Sequence, residues 1–120
     1  MNLKLLHRLY AAGVFLVTLV IYWMTVQPSV SFWDCGEFIA ASYYLQVPHP
    51  PGTPFFLIIG NIFSKIPFID NIGLKINLIS VFSSALTAFF LYLVAVKLIN
   101  IFKGKKPETT FDAIATYTAA

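Results

Sequence analysis

Two long stretches without any charged residue constrain this chain more than any other feature. No charge occurs between Arg8 and Asp34, and none occurs between Lys75 and Lys97. A helix rises ~1.5 Å per residue, so either stretch is long enough to cross the ~30 Å hydrocarbon core of a bilayer. We therefore expect two transmembrane helices, over residues 9–27 and 76–101.

The composition excludes the main alternatives to a membrane protein. Of 120 residues, 58% are hydrophobic and 11% charged, whereas a soluble domain has about 45–50% apolar and about 25% charged residues. A small soluble domain cannot bury that much apolar surface, and a disordered chain would be more polar. The single cysteine, Cys35, excludes a disulfide scaffold. A net charge of +3 with scattered bases does not predict nucleic-acid binding. The expected fold class is an all-α membrane protein.

A cleaved signal peptide is the alternative interpretation of the first apolar stretch. Lys4, His7 and Arg8 would form its basic region, and cleavage near Ser31 would release a secreted protein. The apolar stretch is longer than the ~7–15 residues typical of a signal peptide. This length favours an uncleaved helix.

Shorter segments predict further helices. Thr53 suits an N-cap and Pro54 the first helical position, so a helix is expected over 54–65. At about 18 Å it is too short to span, and its polar stripe predicts a position at the membrane interface or beneath the protein. A second polar stripe on the 76–101 helix, here called the polar seam, predicts helix packing. The seam consists of Asn77, Ser80, Ser84 and Thr87.

The basic residues predict the topology. With two crossings, the cations near the N-terminus and those over 97–106 lie on the same side, which the positive-inside rule assigns to the cytoplasm. Residues 28–75 then form an outer loop with short helices near 35–46 and 54–65. Residues 102–110 form a cytoplasmic basic loop. Residues 111–120 begin a further helix, capped by Thr109 or Thr110, so residues 1–120 are expected to be the N-terminal membrane module of a longer chain.

Two acids in the outer loop are the first candidates for a functional site. Asp34 and Glu37 are three residues apart, so on a helix they share one face. Charged groups near lipid are costly and are functional candidates. The alternative is a capping box in which Asp34 is the N-cap and Glu37 its partner, opening the helix over 35–46. The spacing alone leaves both interpretations open.

His49 is a third candidate. It lies between two prolines, which stiffen the segment and favour a binding role because less ordering entropy is lost when a ligand binds. A lone histidine is, however, more often structural. The acids, His49 and Cys35 show no recognised metal-ligand spacing, so no metal site is predicted. Cys35 has no evident partner base and is interpreted as a packing residue.

The outer loop resembles a known family. The run W-D-C-G-E-F-I-A-A over 33–41, followed by H-P-P-G-T-P over 49–54, is similar to the start of the transmembrane-protein-260-like family. Bacterial members of that family carry the label domain of unknown function 2723. The family is placed among glycosyltransferases of the C-type membrane fold, whose members are longer and have many more helices.

This resemblance implies transfer of a sugar from a polyprenyl-phosphate donor to an acceptor hydroxyl, commonly on protein, at the outer membrane face. Asp34 would be the general base or the carboxylate that orients the acceptor, and Glu37 a supporting catalytic residue. His49, Trp33 and Lys65 would contact substrate. No cofactor is implied. The partners would be membrane lipids, the lipid-linked donor, a protein acceptor and the remaining helices of the full-length chain.

The resemblance also implies a location. A multi-pass protein of this kind would lie in the bacterial inner membrane or in the endoplasmic reticulum membrane of a eukaryote, with its N-terminus in the cytoplasm. The alternative function is a non-catalytic membrane subunit or assembly factor, which would use the outer loop to bind lipid or a partner protein.

Overall fold

The computed structural model describes residues 2–67 and 69–120, leaving out Met1 and Phe68, and within these ranges the fold is helical without a strand. This confirms the all-α prediction. In chain order the helices are α1 (Leu3–Thr25), α2 (Cys35–Tyr44), α3 (Pro54–Ser64), α4 (Ile72–Lys103) and α5 (Thr110–Thr118). Among the described helices, α1 and α4 are long and apolar enough to cross a membrane.

Both long helices extend beyond the predicted spans. α1 begins at Leu3 rather than at residue 9, and α4 covers Ile72–Lys103 rather than 76–101. A charged residue marks where a helix leaves hydrocarbon, but it does not end the helix, because Lys and Arg are good helix formers. The start of α4 is capped by Asn71, whose side-chain oxygen accepts the N–H of Leu74 at 3.0 Å.

The chain forms two compact units. The first consists of Met1–Ile21 with Ser84–Ala120. Its α5 begins after Thr109, whose side chain accepts the N–H of Asp112, so the predicted cap is confirmed. Lys103 Nζ then donates to Asp112 and to Thr116, each at 2.9 Å. The core of this unit is made of the buried side chains of Leu6, Ala11, Tyr92, Val96, Ala113 and Tyr117.

The second unit, Tyr22–Ser83, is built around the contact between α2 and α3. Gly60 of α3 lies so close to α2 that a Cβ atom there would be 2.5 Å from the Ser42 hydroxyl. Asn61 Nδ2 donates to the carbonyls of Ser42 and Tyr43, both at 3.0 Å. The last carbonyls of a helix have no partner within it, so Asn61 both caps α2 and joins the two helices.

The exposed side of α3 is apolar and its buried side is partly polar. Phe55 and Ile62 are 78% and 63% exposed, whereas Asn61 and Ser64 are buried. This is the reverse of a helix on the surface of a soluble protein, where the apolar face points inward. The pattern is that of a helix surrounded by lipid or by other apolar helices.

Asn77, the first residue of the polar seam, binds the backbone of the segment that follows α1. Asn77 Nδ2 donates to the carbonyls of Gln27 and Ser29 at 2.8 and 3.0 Å. Asn71 Nδ2 donates to the Pro28 carbonyl at 2.6 Å. Together they attach the segment that follows α1 to the first turns of α4. This segment leads directly to the candidate site.

Candidate functional site

The start of α2 positions the two outer-loop acids. Asp34 immediately precedes the helix and Glu37 lies in its first turn. The residue before them, Trp33, has φ of 62°, in the left-handed region that a bulky residue rarely adopts. Trp33 is 95% exposed, so its indole is not packed against the described part of the chain.

The capping-box interpretation of these acids is wrong. Asp34 occupies the N-cap position, yet its side chain makes no capping hydrogen bond within the described residues. Its φ and ψ of −75° and 6° differ from the extended geometry that lets an N-cap side chain reach the next N–H groups. Glu37, the expected partner, accepts hydrogen bonds from His49 instead.

A reversal of the chain brings His49 back to α2. Leu45 ends the helix in the left-handed conformation, and its N–H donates to the Ala41 carbonyl. The N–H of Gln46 donates to the same carbonyl at 2.9 Å. His49 and Gly52 then close a turn with a 3.0 Å backbone hydrogen bond, and Gly52 has a φ of +71° that favours glycine.

Glu37 holds His49 by two hydrogen bonds. One carboxylate oxygen accepts the backbone N–H of His49 and the other accepts from ring Nδ1, both at 2.7 Å. The second ring nitrogen, Nε2, lies 3.9 Å from a carboxylate oxygen of Asp34. The ring of Phe38 meets the imidazole edge-on, with centroids 5.8 Å apart. His49 is therefore oriented, with Nε2 directed to Asp34.

The acids also change the proton affinity of the histidine. The Glu37 hydrogen bond and charge raise the pKa of His49 above its ordinary value of 6.5, and the Asp34 charge adds a smaller effect in the same direction. The hydrogen bonds from His49 lower the pKa of Glu37 below 4.5. The pair therefore favours an ionised Glu37 beside a protonated His49.

The same three side chains could hold a metal ion. One ligand atom from each of Asp34, Glu37 and His49 lies within 4.8 Å of the others. Carboxylate oxygens and imidazole nitrogen suit a divalent cation. The sequence offered no ligand spacing for this group, because its members come from a helix start and from a turn twelve residues beyond Glu37.

Lys65, the cation predicted to contact substrate, lies at the end of α3 that is farther along the chain from His49. Lys65 follows the last residue of α3, and in the described part of the chain it makes no ion pair with the acids. A helix of eleven residues is about 16 Å long, which separates Lys65 from the start of α3. Lys75, in the first turn of α4, is buried and donates to the Ser64 carbonyl at 3.0 Å.

An apolar cavity of about 360 Å³ adjoins the site. Phe38, which contacts His49, forms part of its wall. Thr53 also lines it, and among the described residues its buried hydroxyl has no hydrogen-bond partner. Thr53 occupies the N-cap position of α3 without donating or accepting a capping bond, so the predicted capping role is wrong. The other lining residues are Cys35, Ile39, Phe56, Ile76, Asn77 and Ser80.

Comparison with known protein families shows which family this chain belongs to. Residues 34–120 match the family model described as the protein O-mannosyl-transferase TMEM260 N-terminal domain. The match begins at Asp34 and covers well over half of the chain. The chain belongs to this family. The resemblance predicted from the outer-loop motifs is thus confirmed.

Two TMEM260 relatives show how much of the family protein this chain represents. A Dictyostelium discoideum protein named protein O-mannosyl-transferase tmem260 is 36% identical over 88 residues, which are 72% of this chain and 11% of that protein. A Mus musculus protein named protein O-mannosyl-transferase TMEM260 is 29% identical over 83 residues, or 68% of this chain and 12% of that protein. The chain thus spans only a small part of either relative. No solved structure matches it.

Proposed function

We propose that this chain is the N-terminal membrane module of a glycosyltransferase that moves a sugar from a polyprenyl-phosphate donor to a hydroxyl group on a protein. The names of the TMEM260 relatives suggest mannose as the sugar. The observation that carries the proposal is the exposed carboxylate of Asp34, which caps no helix and lies 3.9 Å from a histidine fixed by Glu37.

Asp34 is the proposed general base. Its side chain is not used as a helix cap, and it is about half exposed next to His49. A substrate hydroxyl attacks more readily when a positioned group accepts its proton in the transition state. Asp34 is placed to accept that proton, and the nearby imidazole can stabilise the carboxylate while the acceptor binds.

Glu37 is proposed as a positioning residue. Both of its carboxylate oxygens accept hydrogen bonds from His49, so they are not free to bind the acceptor. By fixing Nδ1, Glu37 directs Nε2 of His49 towards Asp34 and towards the space where substrate would bind. This role is narrower than the catalytic role that the family resemblance implied for Glu37.

The surroundings of the site suit a lipid-linked sugar. The exposed indole of Trp33 offers a flat amphipathic face to a sugar ring. The apolar cavity beside Phe38 can take part of a prenyl chain, and the exposed apolar side of α3 can contact membrane lipid. Lys65 remains the proposed contact for donor phosphate from this module, and further cations would come from the rest of the full-length protein.

The proposed location is the outer face of a membrane crossed by α1 and α4. The positive-inside rule would then place the basic ends of both helices in the cytoplasm. The outer loop, with Asp34, would face the opposite compartment, where a lipid-linked donor can be used without a nucleotide sugar.

A reconstituted transfer assay tests the proposal. Full-length protein in vesicles is mixed with polyprenyl-phosphate mannose and an acceptor protein, and intact mass shows whether hexose is attached. We expect hexose on the acceptor and release of polyprenyl phosphate. An active preparation that transfers sugar only from a nucleotide donor would overturn the donor class. A folded protein that binds the acceptor yet transfers no sugar would favour the non-catalytic subunit.

A further inference from the structure

A basic pocket lies in the first unit, among residues that the proposed reaction does not use. It consists of two adjoining cavities of about 590 and 560 Å³. His7, Val96, Asn100 and Lys106 line both cavities. We refer to the two cavities together as the basic pocket.

The charge of the basic pocket is uniformly positive. Its cationic lining residues are Lys4, Arg8, Lys97, Lys105 and Lys106. In the described ranges no carboxylate lines either cavity, and none of these cations forms an ion pair. Of the acids of this unit, Asp112 is paired with Lys103 at 2.9 Å and has a weaker electrostatic interaction with Lys105, and Glu108 lies outside the lining. Such a concentration of unpaired cations attracts an anion.

Asn100 indicates that the ligand of the basic pocket also carries a hydrogen-bond donor. Asn100 lines both cavities, and its side-chain oxygen is buried without a hydrogen-bond partner among residues 2–67 and 69–120. A buried acceptor without a partner is costly, and an unprotonated phosphate oxygen cannot donate a hydrogen bond to it. A ligand hydroxyl could donate to it. The pocket thus fits an anion that also carries hydroxyl groups.

The walls of the pocket distinguish a lipid from a free ion. Leu3, Leu93, Val96 and Ile101 supply apolar lining, and these residues belong to two helices that are apolar enough to cross a membrane. Basic pockets next to membrane helices on the cytoplasmic side bind anionic lipid headgroups. We propose that the basic pocket binds the headgroup of an anionic phospholipid bearing hydroxyl groups, of the phosphatidylglycerol type.

Binding of fluorescent short-chain lipids to the full-length protein, followed by anisotropy, tests this proposal. Phosphatidylglycerol should bind, and zwitterionic phosphatidylcholine should bind far more weakly. The double variant Lys97→Gln/Lys106→Gln should weaken phosphatidylglycerol binding about fivefold for each lysine removed. Lys103→Gln removes one charge that is paired with Asp112 and lies outside the lining of both cavities, so this control variant should retain binding.

Phosphatidylmethanol isolates the hydroxyl requirement, because it has the same charge without the glycerol hydroxyls. The wild-type protein should prefer phosphatidylglycerol about fivefold, as expected for one hydrogen bond. Asn100→Leu should remove that preference while the charge-dependent binding remains. Equal binding of the two lipids by the wild-type protein would overturn the role of Asn100.

Two further binding measurements use the wild-type protein, so their results do not depend on whether the variants fold. Raising NaCl from about 0.05 to about 0.5 M should weaken phosphatidylglycerol binding strongly, because the Debye length shortens severalfold. Displacement of the lipid by millimolar inorganic phosphate would assign the pocket to a free anion. Equal affinity for phosphatidylcholine, or equal losses in the pocket and control variants, would overturn the proposal.

Discussion

The carboxylate of Glu37 determines how His49 is presented. It accepts from both the backbone and the ring of His49 at 2.7 Å, and it raises the pKa of the histidine while its own pKa is lowered. The His49 contribution to stability is present below pH 6.5 and is lost as pH rises through the raised pKa. The Glu37 contribution is present above pH 4.5 and is lost as pH falls through the lowered pKa. The pair therefore contributes most between these two limits.

Glu37→Gln should lower the pKa of His49. The amide removes the negative charge and weakens the hydrogen bond to Nδ1, which are the main causes of the raised pKa. The measurement is an NMR titration of the full-length protein with labelled histidine, with His49→Gln to assign the signal. An unchanged pKa in Glu37→Gln would mean that the two side chains do not interact in solution.

At the scale of elements, the contact between α2 and α3 holds the site together. The close approach at Gly60 and the two hydrogen bonds of Asn61 fix α3 against the C-terminal end of α2. The turn that carries His49 connects α2 to α3. The position of α3 against α2 therefore determines whether His49 can reach Glu37.

Gly60→Ala should destabilise the protein by about 1–3 kcal/mol, because the added methyl group would overlap the Ser42 side chain. Gly13→Ala in α1 is the matched control, since a Cβ there meets nothing within 4 Å. Without a clash, that variant should gain up to ~1 kcal/mol from helix propensity. Thermal unfolding in detergent compares the two, and similar melting temperatures would contradict the close packing of α2 and α3.

Asn61→Leu should also destabilise the protein, by about 1–3 kcal/mol, because the Ser42 and Tyr43 carbonyls would lose their donor. Amide hydrogen exchange should then increase in α2 and α3. Unchanged exchange in α2 would show that Asn61 does not cap it.

The sequence predicted the positions of the helices better than it predicted the side-chain contacts between them. Charge-free stretches predicted both long helices, Pro54 predicted the start of α3, and Thr109 was recognised as a cap. The pairing of Glu37 with His49 was missed, since it depends on the left-handed Leu45 and on a turn that spacing does not reveal. The capping roles of Asp34 and Thr53 failed because their backbone angles are not those of a capping residue.

At the scale of the whole molecule, the distribution of charge predicts the orientation in the membrane. Six of the eight Lys and Arg residues belong to the first unit, whereas three of the five acids belong to the second. The positive-inside rule therefore predicts the first unit's termini in the cytoplasm and the outer loop on the opposite side.

Cysteine labelling tests this orientation. In a Cys35→Ser background, Ser31→Cys should react with a membrane-impermeant maleimide added outside intact cells or right-side-out vesicles. Glu108→Cys, at an exposed position of the basic loop over 102–110, should react only after the membrane is opened. The reverse pattern would contradict the topology, and labelling of both sites from outside would contradict the predicted number of crossings.

The most direct test of the proposed function is the rate of sugar transfer by full-length Asp34→Asn. Loss of a general base should lower kcat by about 100-fold or more, while the melting temperature stays near that of the wild type because Asp34 makes no capping bond among the described residues. Asp70→Asn, another exposed acid of the outer loop, should keep its activity. A folded Asp34→Asn protein that transfers sugar at the wild-type rate would contradict the proposed role of Asp34.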